Sequence, residues 1–172
     1  DRMMPEITSA LEQLFSPNII LKNASGRARS LEGLNDENIF IKGSSDAPLE
    51  VKMNDAIYMA DISGGQKTGL FFDQRENHAF TAKLANGGSI IDVFSHVGGF
   101  SLAALSAGAT SATAVDSSQP ALDLAIKGAD ASGFSKSFST HKGDAFEVMA
   151  QLFEEGERYQ VVVCDPPAFA PS

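Results

Sequence analysis

Short apolar runs and amphipathic stretches alternate along the chain, and their order changes near residue 64. Before that point, apolar residues recur at helical spacing from Pro5 to Phe15, which predicts a short amphipathic helix. Asn54 and Asp55 separate two β-like runs and both tolerate the left-handed backbone conformation, so they predict a hairpin. The β-like runs of this region are residues 18–22, 38–42, 49–53 and 56–62. We interpret residues 1–65 as a small α+β appendage.

From Gly64 onward, predicted strands alternate with predicted helices. Asp73 and Glu76 have the spacing of a capping box and predict a helix over residues 73–85. This alternation is typical of a parallel sheet with helices on both faces. The predicted strands are residues 89–94, 111–116, 138–144 and 159–165. Residues 66–172 are therefore predicted to form an α/β, Rossmann-like doubly wound sheet, incomplete because only about four of its usual strands are present.

Composition and charge narrow the class of protein. Hydrophobic residues make up 43% and charged residues 20% of the chain, as in ordinary folded domains. No apolar run is long enough to cross a membrane, and the start lacks a secretion signal. The single cysteine, Cys164, cannot form an internal disulfide, so we expect a cytoplasmic protein. The net charge of −9 is opposite in sign to the positive charge that nucleic-acid-binding domains usually carry.

The first candidate site is the stretch DVFSHVGGF, residues 92–100. An acid in a buried strand followed by Gly98 and Gly99 lets a ligand approach the backbone at the start of the next helix. The two glycines are adjacent and position 102 is Leu, so the dinucleotide pattern G-x-G-x-x-G is absent. The stretch predicts a cradle for a small molecule, unless the glycines only form a tight turn.

An aspartate lies at or near the carboxyl end of each predicted strand of the second region. These residues are Asp92, Asp116, Asp144 and Asp165. Any one of them could be a helix cap. Because parallel strands present their carboxyl ends at one edge, where open α/β sheets bind ligands, we expect Asp116 to accept ribose hydroxyls and Asp144 or the next N–H to reach adenine. The pattern predicts an adenosine-containing ligand.

The segment Asp165-Pro166-Pro167 has a carboxylate and carbonyl groups next to two residues that lack an N–H. We call this rigid segment, residues 165–167, the lip. It suits recognition of a planar substrate with an amino group, and Phe169 is available to stack on that substrate. The alternative is a proline-rich strand exit without a ligand.

Together these stretches resemble the class I S-adenosylmethionine-dependent methyltransferases, most closely the subgroup that methylates large-subunit ribosomal RNA at cytosine C5. The resemblance covers roughly residues 48–170, and its most specific part is GQKTGLFFDQR, residues 65–75. It implies S-adenosylmethionine as cofactor, RNA as partner, and methyl transfer to cytosine C5. The cofactor contacts that it implies are Asp73, Gln74, Arg75, Asp92, Phe94, Ser95, Gly98, Asp116, Ser117, Asp144, Ala145 and Asp165. Asp165, Pro166 and Pro167 would face the target base, with Phe169 beside it.

The sequence departs from the family pattern at His78, where arginine is usual, and at Ser95-His96-Val97, which replaces Cys-Tyr-Thr. Family members that methylate cytosine C5 first add a cysteine thiolate to C6. Because a class I sheet needs about seven strands and only four are predicted, we interpret the chain as a fragment and expect that cysteine beyond Ser172. Cys164 is interpreted as a small buried apolar residue, with the nucleophile as the alternative. Arg75 either contacts the cofactor or pairs with Asp92.

Three other functions remain open from the sequence. One is methylation of another base nitrogen or of a small molecule, because an amine-recognising lip suits these acceptors too. A second is a nicotinamide-nucleotide enzyme, against which the adjacent glycines argue. A third is a Rossmann-like binding module without catalysis.

Overall fold

The computed structural model describes residues 2–24, 29, 31–34, 37–62 and 69–167. Contacts divide the chain into two compact units, Asp1–Ala47 and Pro48–Ser172. The boundary predicted at residue 65 falls inside the second of these units.

The first unit contains the predicted helix and two of the predicted strands. Helix α1 spans Met4–Phe15, with proline in its first turn, where a missing N–H costs no helical hydrogen bond. Strand β1, Ile20–Lys22, pairs antiparallel with β2, Ile39–Lys42. The apolar residues of α1 are not buried; Leu14 and Phe15 are among the most exposed large apolar side chains of the protein.

The second unit begins with the predicted hairpin. Strand β3, Leu49–Met53, pairs antiparallel with β4, Ala56–Ala60. Asn54 and Asp55 form the turn with φ values of 51° and 58°. The left-handed conformation expected at these two residues is confirmed.

A four-stranded parallel sheet forms the centre of the second unit. Its strands are β5, Ser89–Val93; β6, Ser111–Asp116; β7, Phe138–Lys142; and β8, Val161–Cys164. Their order is β7-β6-β5-β8, and every neighbouring pair is parallel. The helices are α2, Arg75–Leu84; α3, Gly99–Ser106; α4, Gln119–Ala131; and α5, Ala145–Glu154. The predicted Rossmann-like fold is confirmed.

Alternate residues of β5 pack against helices on opposite faces of the sheet. Ile90 packs with Ala104 and Leu105 of α3. Ile91 and Val93 pack instead with α5 residues, including Val148 and Leu152. Since side chains alternate along a strand, this burial fixes the register of β5 and creates a three-layer unit. The chain changes sides of the sheet between β5 and β8, where open α/β folds form a ligand crevice.

The predicted capping box is wrong. Residues Phe72–Gln74 form a 3₁₀ turn, closed by the Gln74 N–H donating to the Phe71 carbonyl, and α2 begins only at Arg75. Neither the turn nor α2 has a side-chain cap. The tighter turn moves the helix start past Asp73, so this carboxylate no longer lies at the capping position.

Within the described ranges, none of the helices combines the length and the apolar character that a membrane crossing requires.

Gly128 allows α4 to approach the hairpin closely. A Cβ at this position would lie 2.8 Å from the Ile57 carbonyl oxygen and 2.9 Å from Leu102 Cδ1. We expect Gly128→Ala to lower the free energy of unfolding by about 1–3 kcal/mol, although alanine is favoured over glycine in helices by about 1 kcal/mol. Urea unfolding checks this, with Lys127→Ala on the exposed side of α4 as the control. A stabilised Gly128→Ala protein would contradict the close approach.

Candidate functional site

The turn between β5 and α3 has an unusual backbone. Phe94, His96 and Gly98 have φ values of 64°, 51° and 78°. The first two are not glycine, so each costs about 1–2 kcal/mol of backbone strain. Three N–H groups of this turn donate within the protein: Ser95 to the Val115 carbonyl, His96 to Asp116 Oδ2 and Gly98 to the Ser95 carbonyl. These bonds hold the left-handed residues in place. We call residues 94–99 the cofactor loop, after the cofactor contacts that the sequence resemblance implies for Phe94, Ser95 and Gly98.

Asp92 anchors the helix that follows this loop. Its side chain is 1% exposed, and Oδ2 accepts hydrogen bonds from the Ser101 N–H at 3.0 Å and the Ser101 Oγ at 3.1 Å. Burial raises the pKa of Asp92 to about 6, while the bonds from Ser101 and the Phe100 N–H oppose the rise. The structure thus places Asp92 beneath the loop rather than at its open side, and its observed partner is Ser101 rather than Arg75.

Asp116 lies at the end of β6 and holds the loop from its neighbouring strand. Its Oδ2 accepts from the His96 N–H and its Oδ1 from the Ser118 N–H, both at 2.8 Å. An ionised carboxylate has about four acceptor positions, so two remain for a ligand. Ser117, the next residue, is exposed. Burial lowers the pKa of His96, and the charge of Asp116 opposes this change.

Asp144 acts as the N-cap of α5. Its Oδ1 accepts from the N–H groups of Phe146 and Glu147 at 2.9 and 3.2 Å. Ala145 is buried in the core beneath it. Phe146 is 68% exposed and meets Phe94 edge to face, with ring centroids 6.4 Å apart. The aromatic surface beside Asp144 and the loop therefore comes from Phe146, which the sequence did not single out.

Asp165 extends the same edge from β8. Its N–H donates to the Val93 carbonyl at 3.4 Å, and its Oδ2 accepts from Gln74 Nε2 at 3.3 Å. Asn77 Nδ2 in turn donates to Gln74 Oε1 at 2.6 Å. Gln74, Asn77 and Asp165 line a cavity of about 430 Å³ that reaches Phe100 at the start of α3. Asp73, Arg75, Pro166 and Pro167 are exposed.

His78 is a buried polar residue of α2, close to Asp165 and Asp73. It is 5% exposed, its Nδ1 has no hydrogen-bond partner, and its ring meets Phe100 edge to face at 4.5 Å. Burial lowers the pKa of His78 to about 4, although the charges of Asp165 and Asp73 oppose this. Ser95 in the cofactor loop is also 5% exposed and has an unpartnered Oγ. Buried polar atoms normally have partners, so these two are candidates for contact with a ligand or ordered water.

The interpretation of Cys164 as buried is wrong. The cysteine is exposed because β8 is the edge strand of the described sheet, and Val162 on the same face is 60% exposed. Side chains alternate along a strand, so Cys164 and Asp165 point to opposite faces. Asp165 reaches Gln74 on its own face, and the thiol points away from it.

The structure brings Asp92, Asp116, Asp144 and Asp165 to one edge of the sheet, as the strand order requires. All four accept hydrogen bonds within the protein. Asp116 retains acceptor positions, and Asp165 lines the cavity. Phe169 and residues 63–68, which contain most of the GQKTG stretch, lie outside the described residues. His78 and Phe146 were missed as site residues; the departure from arginine at residue 78 was the only signal.

Comparison with known proteins identifies the family of this chain. Residues 8–172 match the S-adenosylmethionine-dependent methyltransferase family. Ribosomal RNA large subunit methyltransferase I of Aeromonas salmonicida is 35% identical over 170 residues, which cover 96% of this chain and 42% of that protein. The chain thus spans less than half the length of this curated relative.

Solved structures share the fold. A methyltransferase complexed with SAH superimposes with a TM-score of 0.79 at 22% identity, over 99% of this chain and 43% of that one. The tRNA m1G37 methyltransferase of Methanocaldococcus jannaschii gives 0.71 at 18% identity, over 98% of this chain and 46% of that one.

The raised pKa of Asp92 predicts a pH-dependent stability. The folded protein binds the Asp92 proton more tightly than the unfolded chain, so this group's contribution to stability is lost as pH rises through about 6. Asp92→Asn removes the titration, and its stability relative to wild type should therefore increase by about 1.5 kcal/mol between pH 5 and pH 8.

Urea unfolding at both pH values measures this difference, with Asp46→Asn, an exposed residue, as the control. A difference that does not change with pH would mean that Asp92 titrates normally.

Proposed function

Because the chain belongs to the S-adenosylmethionine-dependent methyltransferase family, we propose that it holds the cofactor of an enzyme that methylates large-subunit ribosomal RNA. The name of the Aeromonas relative supports the RNA substrate. The chain covers 42% of that relative, so the proposed activity is that of the whole protein.

The observation that carries the cofactor proposal is the common edge formed by Asp116, Asp165 and the cofactor loop. Asp116 retains acceptor positions for the ribose hydroxyls. Gly98 gives the loop its left-handed turn, and the unpartnered Ser95 Oγ in the same loop is the contact that we propose for the methionine portion. When bound, S-adenosylmethionine supplies an electrophilic methyl group on a sulfonium.

Phe94 and Phe146 offer an apolar wall for the adenine beside Asp144. Asp73 and Arg75 would serve the amino-acid end of the cofactor, which carries both an ammonium and a carboxylate. The carboxylates near this end also favour a cationic sulfonium over a neutral thioether.

Asp165, Pro166 and Pro167 are proposed to position the target base. Gln74 orients the Asp165 carboxylate from α2. Both prolines have fixed φ angles and no N–H, so the carbonyl groups of this lip remain available as acceptors for an exocyclic amine. Methyl transfer to a positioned acceptor requires alignment and exclusion of water more than strong acid–base chemistry.

Cytosine C5 is the acceptor that we propose. This reaction needs a cysteine nucleophile, and Cys164 points away from the Asp165 face, so we place the nucleophile beyond residue 172. Methylation of a base nitrogen needs no such cysteine. The fold alone does not select between them, because the tRNA m1G37 enzyme shares it.

A cofactor-binding module without catalysis is the second candidate. The net charge of −9 favours it, because the chain carries little of the positive potential that attracts RNA.

Calorimetric titration with S-adenosylhomocysteine tests the cofactor proposal. We expect wild-type protein to bind and Asp116→Asn to bind about ten- to hundred-fold more weakly, because a charged hydrogen-bond acceptor for the ribose is lost. Asp123→Asn, an exposed site on α4, is the matched control and should bind normally. Equal affinity of the Asp116 and Asp123 variants would contradict the role of Asp116.

Transfer of a tritiated methyl group to large-subunit ribosomal RNA by the full-length protein tests the reaction. We expect incorporation at a cytosine, identified by mass spectrometry of the nucleosides, and unchanged incorporation by Cys164→Ser. Loss of activity in Cys164→Ser would make this cysteine the nucleophile. Methylation of a nitrogen would overturn the proposed acceptor, and cofactor binding without any incorporation would favour the binding module.

A further inference from the structure

Tyr58 connects the β3–β4 hairpin to the first residue of α3. Its side chain is fully buried, and its hydroxyl donates a hydrogen bond to the Gly99 carbonyl oxygen at 3.1 Å. Gly99 closes the cofactor loop. A residue 41 positions earlier in the chain thus contacts the peptide group on which the loop ends.

Gly99 is also confined from the side of α2. A Cβ on Gly99 would lie 2.7 Å from both Nε2 and Cε1 of His78, so the imidazole packs directly on this glycine. Two residues further on, Ser101 is held by the buried Asp92 carboxylate. Strand β4, helix α2 and strand β5 therefore all contact the start of α3.

Hydrogen bonds to the surrounding helical segments hold the β3–β4 hairpin in place, and this fixes the position of Tyr58. At its turn, Asn54 Nδ2 donates to the Arg75 carbonyl at 3.0 Å, and Ser106 Oγ donates to the Asn54 carbonyl at 2.7 Å. At its second strand, the Ile57 N–H donates to Ser132 Oγ at 2.8 Å. These bonds fix the hairpin to α2, α3 and α4, and Tyr58 lies between them.

We propose that Tyr58 is a positioning residue for cofactor binding, whose hydroxyl holds the Gly99 carbonyl and keeps the cofactor loop in its binding conformation. A loop that is already ordered loses less conformational freedom when a ligand binds, so the bond contributes to affinity without touching the ligand. Burial, aided by the charge of Asp92, raises the pKa of Tyr58 well above its usual range, so the hydroxyl remains a donor at physiological pH. The inference rests on the proposed cofactor site.

Tyr58→Phe in the full-length protein removes the hydroxyl and keeps the ring. Tyr159→Phe is the matched control, because it makes the same substitution at a half-buried tyrosine that precedes β8, at the opposite end of that strand from Asp165. We expect Tyr58→Phe to weaken S-adenosylhomocysteine binding about five-fold in calorimetry, and Tyr159→Phe to leave it within about two-fold of wild type.

Nuclear magnetic resonance of the ligand-free proteins supplies a second readout. The amide nitrogen of Phe100 shares its peptide group with the Gly99 carbonyl, so its ¹⁵N shift should change in Tyr58→Phe and not in Tyr159→Phe. A wild-type nuclear Overhauser effect between the Tyr58 hydroxyl proton and the Gly99 α protons keeps the proposal testable even where Tyr58→Phe does not fold. Its presence is expected, and its absence would overturn the proposal.

The outcomes distinguish failure of the proposed cofactor site from failure of the proposed role of Tyr58. Failure of wild-type protein to bind S-adenosylhomocysteine would overturn the proposed cofactor site. Binding by wild type, with no greater loss in Tyr58→Phe than in Tyr159→Phe, would overturn the role of Tyr58 alone, since removal of its hydroxyl would then have no specific effect.

Discussion

The parallel pairing of β5 with both of its neighbours is the constraint on which the site depends. Parallel strands present their carboxyl ends at one edge, so the residues that end β5, β6 and β8 meet there whatever their separation in the chain. The helix after β5 covers one face and the helix before β8 covers the other. The crevice between them follows from this change of side, and the residues at its edge determine what it can bind.

The cofactor loop is stabilised from beneath and from its sides. Asp92 accepts the first N–H groups of α3 from inside the sheet, Asp116 accepts the His96 N–H from the next strand, and Tyr58 donates to Gly99 from the hairpin. The left-handed Phe94 and His96 are unfavourable on their own. Their conformations persist because buried hydrogen bonds and packing around them compensate for the strain. The aspartates at this edge therefore stabilise the protein, and Asp116 also retains acceptor positions for the proposed ligand.

The sequence predicted most of the fold because its signals are local and repeated. Alternation of strands with helices, the Asn54-Asp55 turn and the acid at each strand end were sufficient for the parallel sheet and its edge. The 3₁₀ turn ahead of α2 was missed, since helix and 3₁₀ patterns differ too little over three residues. Exposure of Cys164 depends on which strand lies at an edge, and the contacts of Tyr58 and His78 with Gly99 depend on tertiary packing. None of these leaves a pattern in the neighbouring residues.

The central claim is that adenosine binds across the carboxyl ends of β5 and β6, with its sugar at Asp116 and its methionine portion at the cofactor loop. A crystal structure of the full-length protein with S-adenosylhomocysteine tests this most directly. The account predicts electron density for the ribose hydroxyls within hydrogen-bond distance of Asp116 and for the amino-acid end beside Ser95 and Gly98. Ligand density elsewhere on the protein, with this edge empty, would contradict it.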